Sequence, residues 1–245
     1  MSKPQLLIDA DLILYKAVSS AEFECDMGDD VWFLSTNLEK AKDHWLSQVD
    51  AIQRELRSDD MVFVFSGADN FRKQIDPSYK GNRAKVRKPL GFTNLRQWAH
   101  DEYGPKAISQ PVLEADDYIG ILATKPNGPH RIIVSEDKDF NTIPASLYQK
   151  GEIHHIDIES ADTYWLTQAL TGDAADGYKG CPGVGAVKAA KLLQGAGNKW
   201  DVVRRAFIKA GLTEQDALTQ ARLARILRYS DWDSQRKQPI LWVPE

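Results

Sequence analysis

Acidic side chains are the residues whose spacing in this sequence carries chemistry. Glu114, Asp116 and Asp117 crowd into Val112-Leu-Glu-Ala-Asp-Asp-Tyr118, directly before the apolar run Ile119-Gly-Ile-Leu-Ala123. On a helix, Glu114 and Asp117 share one face and Asp116 is turned from them by about 100°. Carboxylates in a first turn also meet the positive end of the helix dipole favourably, so this stretch alone leaves a structural role open. The pattern recurs. Asp9 follows Leu6-Leu-Ile, Asp137 and Asp139 follow Arg131-Ile-Ile-Val, and Asp173 and Asp176 stand three apart beyond Leu170. Each of these acids falls at the end of a strand-like run or the start of a helix-like one. If the fold gathers them they cannot all stay ionised, because like charges at close range raise each other's pKa. Bound cations resolve that conflict. Oxygen donors without His or Cys at ligand spacing point to Mg²⁺, with Mn²⁺ as a substitute, and this many carboxylates point to two ions. Two ions roughly 4 Å apart suit in-line hydrolysis of a phosphodiester.

Periodicity predicts the elements that must position these acids. Leu6 to Leu14 reads as a buried strand interrupted by Asp9 and Asp11, which places Asp9 outside a strand's carboxyl end, where open α/β sheets carry their sites. Asp11 fits a helix cap better than Asp9 does. Glu22 to Asp30 reads as a surface loop, and Thr36-x-x-Glu39 as a capping box opening an amphipathic helix from Leu38 to Leu56. Met61 to Phe65 is a second strand that ends at Ser66-Gly-Ala-Asp69. Leu95, Trp98, Ala99 and Tyr103 define a helix stopped by Gly104-Pro105. Asp137 and Asp139 alternate as strand-end residues do. Leu147 to Gln149 and Ile153 to Asp157 are short strands, with His154 and His155 on opposite faces. A helix spans Tyr164 to Leu170. Gly180-Cys-Pro-Gly-Val-Gly185 makes a tight turn into the helix Ala186 to Leu193, whose first backbone N–H groups offer a phosphate site. In the helix from Thr213 to Arg228, Arg222, Arg225 and Arg228 recur at spacing three, as a solvated face or a duplex contact. Ile240 to Val243 is a terminal extended segment.

Composition narrows the class. The 245 residues, 42% hydrophobic, suffice for a real core and for one large domain or a domain with a subdomain. No run approaches a membrane span and no signal-peptide pattern opens the chain, so a soluble intracellular protein is expected. Cys25 and Cys181 have no partner at metal-ligand spacing and read as reduced thiols. The net charge of −4 argues against coating a polyanion over the whole surface. Locally the sign reverses: Arg72, Lys73, Lys80, Arg83, Lys85, Arg87 and Lys88 face only Asp76, with Phe71 and Tyr79 interleaved. A solvated loop would account for this, and so would a phosphate-contacting track in which Tyr79 stacks on a base.

Taken in order, Leu7-Ile-Asp9, Phe71-Arg72, Tyr79-Lys-Gly-Asn-Arg83, Glu114-Ala-Asp-Asp117, Ser135-Glu-Asp-Lys-Asp139, Gly172-Asp-Ala-Ala-Asp-Gly177 and Gly180 to Gly185 resemble the structure-specific 5′ nuclease family. That family includes flap endonucleases and the 5′ nuclease domain of bacterial DNA polymerase I. Within it the chain most resembles the phage T7-type 5′ to 3′ exonucleases, from Leu7 to about Trp242. The resemblance implies an α/β fold: a PIN-like core over residues 1–158 with a mainly parallel sheet and a short, basic helical arch near 72–103. A helical region over 159–245 would carry a helix-hairpin-helix near 172–194. Asp9, Glu114, Asp116 and Asp117 would serve a first metal, and Asp137, Asp139, Asp173 and Asp176 a second. Lys80 and Arg83 would steer the scissile phosphate, with Tyr79 beside them. Arg72, Lys85, Arg87 and Lys88, with Gly183, Val184, Gly185 and Lys188 of the hairpin, would contact DNA, and K⁺ is expected at the hairpin. The implied substrates are duplex DNA with a 5′ end, nick or flap, and RNA/DNA hybrids. A phage protein acting in replication, primer removal or recombination in the host cytoplasm follows. One position departs from the family: Phe65 is followed by Ser66 where an Asp is usual, with Asp69 as a weak replacement and Asp11 or a water as the other way to fill the gap. A PIN-type ribonuclease and a catalytically silent duplex-binding protein are the alternatives; the hairpin and the Arg222 stripe favour duplex DNA over the first, and Ser66 is the only support for the second.

Overall fold

The computed structural model describes residues 3–244, so the outer limits of the two expected regions, residues 1 and 245, lie outside it. Its centre is a six-stranded sheet built from β1 (Gln5–Asp9), β4 (Met61–Phe65), β5 (Ala107–Ser109), β6 (Arg131–Val134), β7 (Ser146–Gln149) and β8 (Glu152–His155) in the order β5-β4-β1-β6-β7-β8. Every neighbouring pair is parallel except β7 and β8. Runs predicted as strands form all of it but β5, which the sequence reading did not expect; β1, β4 and β6 are covered on both faces, which lets their apolar side chains alternate into two cores, whereas β8 is exposed. Leu6 and Ile8 face a core under α1 (Ala10–Ser19), α2 (Leu38–Leu56) and α4 (Phe92–Tyr103), whereas Leu7 faces the opposite side, against Ile119 of α5 (Ala115–Ala123). α6 (Ile158–Thr171), α7 (Ala186–Leu193), α8 (Lys199–Lys209) and α9 (Glu214–Ala224) surround a further core in which Trp242 packs edge-on to Trp165 and Trp200.

Several elements differ from the sequence reading. The run from Leu6 to Leu14 changes type at Asp9, which ends β1 and caps α1 by accepting from the Leu12 N–H at 3.4 Å. A short apolar run does not distinguish strand from helix by period alone, and the capping carboxylate makes the switch. Glu22 to Asp30 is not a loop: β2 (Glu22–Asp26) pairs antiparallel with β3 (Trp32–Thr36) in a hairpin that leaves Trp32 and Phe33 exposed. Its base is fastened where the Glu22 carboxylate accepts from Arg87 and from the Leu90 N–H. α2 is capped by Asn37 rather than Thr36, whose hydroxyl instead donates to Leu90 O. The segment expected as a helical arch holds one helical turn, α3 (Arg72–Ile75), and a 3₁₀ turn over Gly81–Lys85; α4 returns to the core with Leu95 and Ala99 buried. The arginine stripe is not a free face either. Arg225 and Arg228 are buried on Asp231 and Asp162, and Arg222 donates to Trp242 O.

A buried ion pair joins three of these parts. Arg72 is 1% exposed, and its guanidinium donates to both oxygens of Asp117 at 2.6 and 2.8 Å and to the carbonyls of Leu223 and Arg225. Asp117 also accepts from the Leu227 N–H at 3.1 Å. The C-terminal segment presses closely on α5 here: a Cβ at Gly120 would lie 2.4 Å from Leu227 O. Planar, bidentate pairing of this kind needs arginine. Replacing Arg72 by Met leaves a buried carboxylate without its counter-charge, held only by the Leu227 N–H, and two carbonyls without the Arg72 donors, and is expected to cost about 3–5 kcal/mol. Urea unfolding at neutral pH measures it, and a loss below about 1 kcal/mol, the scale of an exposed pair, would show that the pair is not holding these elements together.

Candidate active site

The parallel strands bring their carboxyl ends to one edge, and the acids gather there. Asp9 ends β1, Ser135 and Asp137 follow β6, and Glu114 and Asp116 open α5, which is packed against β1, β4 and β6. Asp9, Asp11, Glu114, Asp116 and Asp137 line one cavity with Lys80 and Arg83. Asp137 is not an alternating strand-end residue: it caps a 3₁₀ turn over Lys138–Thr142 by accepting from the Asp139 N–H at 3.0 Å. Asp173 and Asp176 lie on the loop between α6 and α7, within a turn closed by the Gly177 N–H on Asp173 O at 2.9 Å, with Asp173 bridged to Tyr178.

Hydrogen bonds define what each acid has left to offer. Asp9 accepts from the Ser135 hydroxyl at 2.8 Å, and the same oxygen of Ser135 accepts from the Asp137 N–H at 3.0 Å, so one serine ties two acids together. Glu114 accepts from Lys80 through one oxygen and from Tyr79 and Arg72, at 3.1 and 3.4 Å, through the other. Asp176 accepts from Arg83 at 2.6 Å and from the Tyr79 hydroxyl at 3.0 Å. Asp173 accepts from Lys138 at 3.0 Å and from the Ala175 N–H at 2.7 Å. Asp139 accepts from Gln168 at 2.6 Å. Asp116 accepts only from the adjacent Asp117 N–H among these bonds.

The charges follow from this arrangement. Burial, reinforced by the like charges of Asp11 and Asp137, pushes the Asp9 carboxyl up to about 6 against the Ser135 and Leu12 bonds. Burial and Asp137 likewise raise Asp139 to about 6. Asp116 is raised well above the carboxylate range by burial and by its neighbours Asp117 and Glu114. Burial opposes ionisation of Glu114 as well, but Lys80 and Arg72 outweigh it and hold this carboxyl low. Burial lifts the Tyr79 hydroxyl far above its ordinary range, so it keeps its one proton, which Glu114 and Asp176 share.

Three expected roles change. Asp117, although close to Glu114 and Asp116, is fully buried with both oxygens on Arg72, so it fixes the helix start and does not face the cavity as a metal ligand. Arg72, the partner that holds it, is too deeply buried to touch DNA. Tyr79 is 3% exposed and offers no ring face to a base. Lys80, Asn82 and Arg83 are stitched to the 174–176 backbone or to the acids, so the basic track folds down onto the acidic cluster at this end. Further on, Lys85, Arg87 and Lys88 are exposed, with Arg87 paired to Glu22 and Lys88 over the Phe92 ring. At the hairpin Gly183 and Gly185 are exposed, Val184 is buried beneath them, and Lys188 donates to Gly183 O at 3.0 Å. The reading of the sequence missed Ser135, Lys138 and Gln168. Lys138 was visible as a cation between two acids, Gln168 as an amide among Trp165, Leu166, Ala169 and Leu170, and Ser135 only as the first residue of the Ser135-Glu-Asp-Lys-Asp139 motif.

The oxygen-only donor set fits Mg²⁺ or Mn²⁺. A buried, like-charged group around a cavity, including an Asp11 oxygen with no hydrogen-bond partner, is short of positive charge in the way a cation would supply. The shortage has a measurable sign. Because Asp9 is raised in the fold from its ordinary 3.8 to about 6, its ionisation destabilises the metal-free protein fully above about pH 6 and not at all below its unfolded pKa. With EDTA present, Asp9→Asn is therefore expected to be more stable than the parent at pH 8, by up to about 3 kcal/mol, and equal to it near pH 4. Thermal unfolding across this range tests the point, and an advantage that persists unchanged at pH 4 would assign it to another cause.

Residues 4–164 match the family model described as "5′-3′ exonuclease, N-terminal resolvase-like domain". The chain is 29% identical over 279 aligned residues to the exodeoxyribonuclease of Enterobacteria phage T3, covering 98% of this chain and 92% of the relative. It is also 29% identical to the exonuclease of Escherichia phage T7, covering 98% and 93%. A phage T5 protein co-crystallised with metal ions superposes with a TM-score of 0.65 at 16% identity, over 90% of this chain and 88% of that one. The phage T5 flap endonuclease in complex with DNA and metal ions gives 0.62 at 13% identity over the same shares. These two likenesses carry the fold, a mostly parallel sheet with helices. With its acids at the sheet edge and the family model matched over most of its length, the chain belongs to the 5′–3′ exonuclease family of structure-specific nucleases.

Proposed function

We propose that the protein hydrolyses phosphodiester bonds of DNA at 5′ ends, nicks or flaps with two divalent ions, Mg²⁺ or in its place Mn²⁺. The observation that carries this is the gathering of Asp9, Glu114, Asp116 and Asp137 around one cavity that Lys80 and Arg83 also line. Asp9, Glu114 and Asp116 would hold one ion, and Asp137, Asp139, Asp173 and Asp176 the other. Bound divalent ions supply a water of lowered pKa and a counter-charge for the leaving oxygen. The chain's own groups do the rest. Lys80 and Arg83, drawn to the mouth of the cavity by Glu114 and Asp176, present donors to the scissile phosphate. Tyr79 holds Glu114 and Asp176 in fixed relation, and Gln168 and Ser135 do the same for Asp139 and Asp9. The exposed Lys85, Arg87 and Lys88 lie beyond this mouth on the same stretch of chain and contact phosphates of the strand leading into it.

The span expected as a helix-hairpin-helix, residues 172–194, holds one helix, α7; the loop 172–185 joins it to α6, Gly183 and Gly185 are exposed there, and Gly185 precedes α7 without a side-chain cap. Free N–H groups at a helix start bind phosphate without reading bases, so α7 and the turn before it, with Lys188, grip the duplex backbone and take K⁺ beneath the turn. The helical region from residue 159 onward serves the duplex and lends Asp173 and Asp176 to the centre that residues 1–158 otherwise build, while Lys85, Arg87 and Lys88 add DNA contacts from the first region. RNA/DNA hybrids are cut by the same centre, because a grip through N–H groups contacts phosphate oxygens, which both strands of a hybrid carry, and not the 2′-OH. No helix among the described residues is long and apolar enough to cross a membrane, and the resemblance to phage enzymes supports action in the host cytoplasm during replication, primer removal or recombination.

Release of acid-soluble nucleotides from 5′-labelled duplex in Mg²⁺, abolished by EDTA, is the expected outcome; equal release in EDTA would exclude a metal centre. Asp139→Asn is expected to lose at least roughly 100-fold in rate while still binding DNA, as changes at metal-holding residues do; retained activity would remove Asp139 from the second site. Lys80→Ala should lower kcat by roughly 10²–10³ with little change in KM, the loss typical of one donor to transition-state charge. An unchanged kcat would deny Lys80 its steering role.

A further inference from the structure

We infer that Asp11 is a further holding residue of the metal centre, supplying from the first turn of α1 the carboxylate that the end of β4 does not provide. The inference rests on the metal-dependent reading above. The end of β4 has no acid to give. The Ser66 hydroxyl oxygen accepts from the Ala115 N–H at 3.0 Å and so caps α5. No side chain fits at Gly67, where a Cβ would lie 2.0 Å from Gln110 O. Asp69 is exposed and accepts from the Asn70 N–H beside it.

Asp11 fills this gap from the neighbouring strand connection. One of its oxygens accepts from the Ser66 N–H at 2.8 Å, so the backbone position that lacks an acid side chain holds one by its amide. Its other oxygen is buried and has no hydrogen-bond partner. The remaining orphaned side-chain atoms among the described residues, on Gln168 and Arg228, are not carboxylate oxygens. Helix capping does not account for Asp11, because Asp9 is the residue that caps α1. The cavity beside it, of about 290 Å³, is shared with Asp9, Glu114, Asp116 and Asp137. A buried carboxylate oxygen left without a donor is costly, and a cation, or a water bound to one, removes that cost.

Mn²⁺ binding to the full-length protein without DNA, followed by the electron paramagnetic resonance signal of free Mn²⁺, tests this. Asp11→Asn keeps an acceptor for the Ser66 N–H and removes the charge. It is expected to weaken the tighter Mn²⁺ site roughly tenfold or more, while its Tm in EDTA stays equal or rises because a like charge has left the cluster. Asp11→Ser is expected to show the same loss of affinity, so the result does not hang on one folded variant. Asp69→Asn should bind Mn²⁺ as the parent does. Unchanged Mn²⁺ affinity in both Asp11 variants would overturn the role given to Asp11 and leave the metal-dependent reading standing. A parent that binds no Mn²⁺ would overturn both.

Discussion

Repulsion among carboxylates at one edge of a small sheet is the constraint on which the rest of this structure depends. Parallel strands end together, and here they end in acids, with further acids supplied by the start of α5 and by the loop after α6. Burial makes the crowding worse, since a carboxylate with little water loses the solvation that would screen it. Asp9, Asp116 and Asp139 are all raised by it. The fold meets this with cations at fixed points: Arg72 on Asp117, Lys80 on Glu114, Arg83 on Asp176 and Lys138 on Asp173. Of the acids they leave uncovered, Asp9, Asp11, Asp116 and Asp137 share one cavity. That residue of uncompensated charge makes the site a place for divalent ions.

The same cations decide the shape of the chain around the site. Lys80 and Arg83 draw the basic segment down onto the acids instead of letting it stand out as an arch. The Asn82 amide adds bonds to Ala174 and Ala175. Arg72 reaches further, binding α5 and the backbone beyond α9 in one dry contact. Start of α5, end of α9 and beginning of the basic segment are thereby held in register. A small shift in any of them moves Glu114 and Asp116, the two acids that α5 presents. Stability and the geometry of the site are in this respect one problem.

Much of the architecture was legible because it follows from local periodicity. Met61 to Phe65, Leu147 to Gln149 and Ala186 to Leu193 form the elements their patterns predict, and Thr213 opens α9 through a capping box with Asp216. Errors arose where two patterns overlap. Leu6 to Leu14 is apolar enough to be one strand, yet the Asp9 cap divides it into strand and helix. Glu22 to Asp26 is too acidic to suggest a strand, and it is one because β3 pairs with it across a turn. The arginines at 222, 225 and 228 have a helical spacing that suits a solvated face, and two of them are buried on acids the spacing does not show.

The sequence by itself determined the residue types at the sheet edge and their order along the chain, and with them the oxygen-donor chemistry and the family. Such properties depend on which atoms are present and on neighbours a few positions away. Only the tertiary structure decided which acids are free. Asp117 and Asp116 are adjacent and identical in kind, but Arg72, 45 positions away, neutralises one and leaves the other facing the cavity. Asp11 and Ser66 are 55 positions apart and meet through a backbone amide. Pairing in a dry interior is set by contacts between distant segments. The role of a carboxylate is therefore decided by what the fold places beside it.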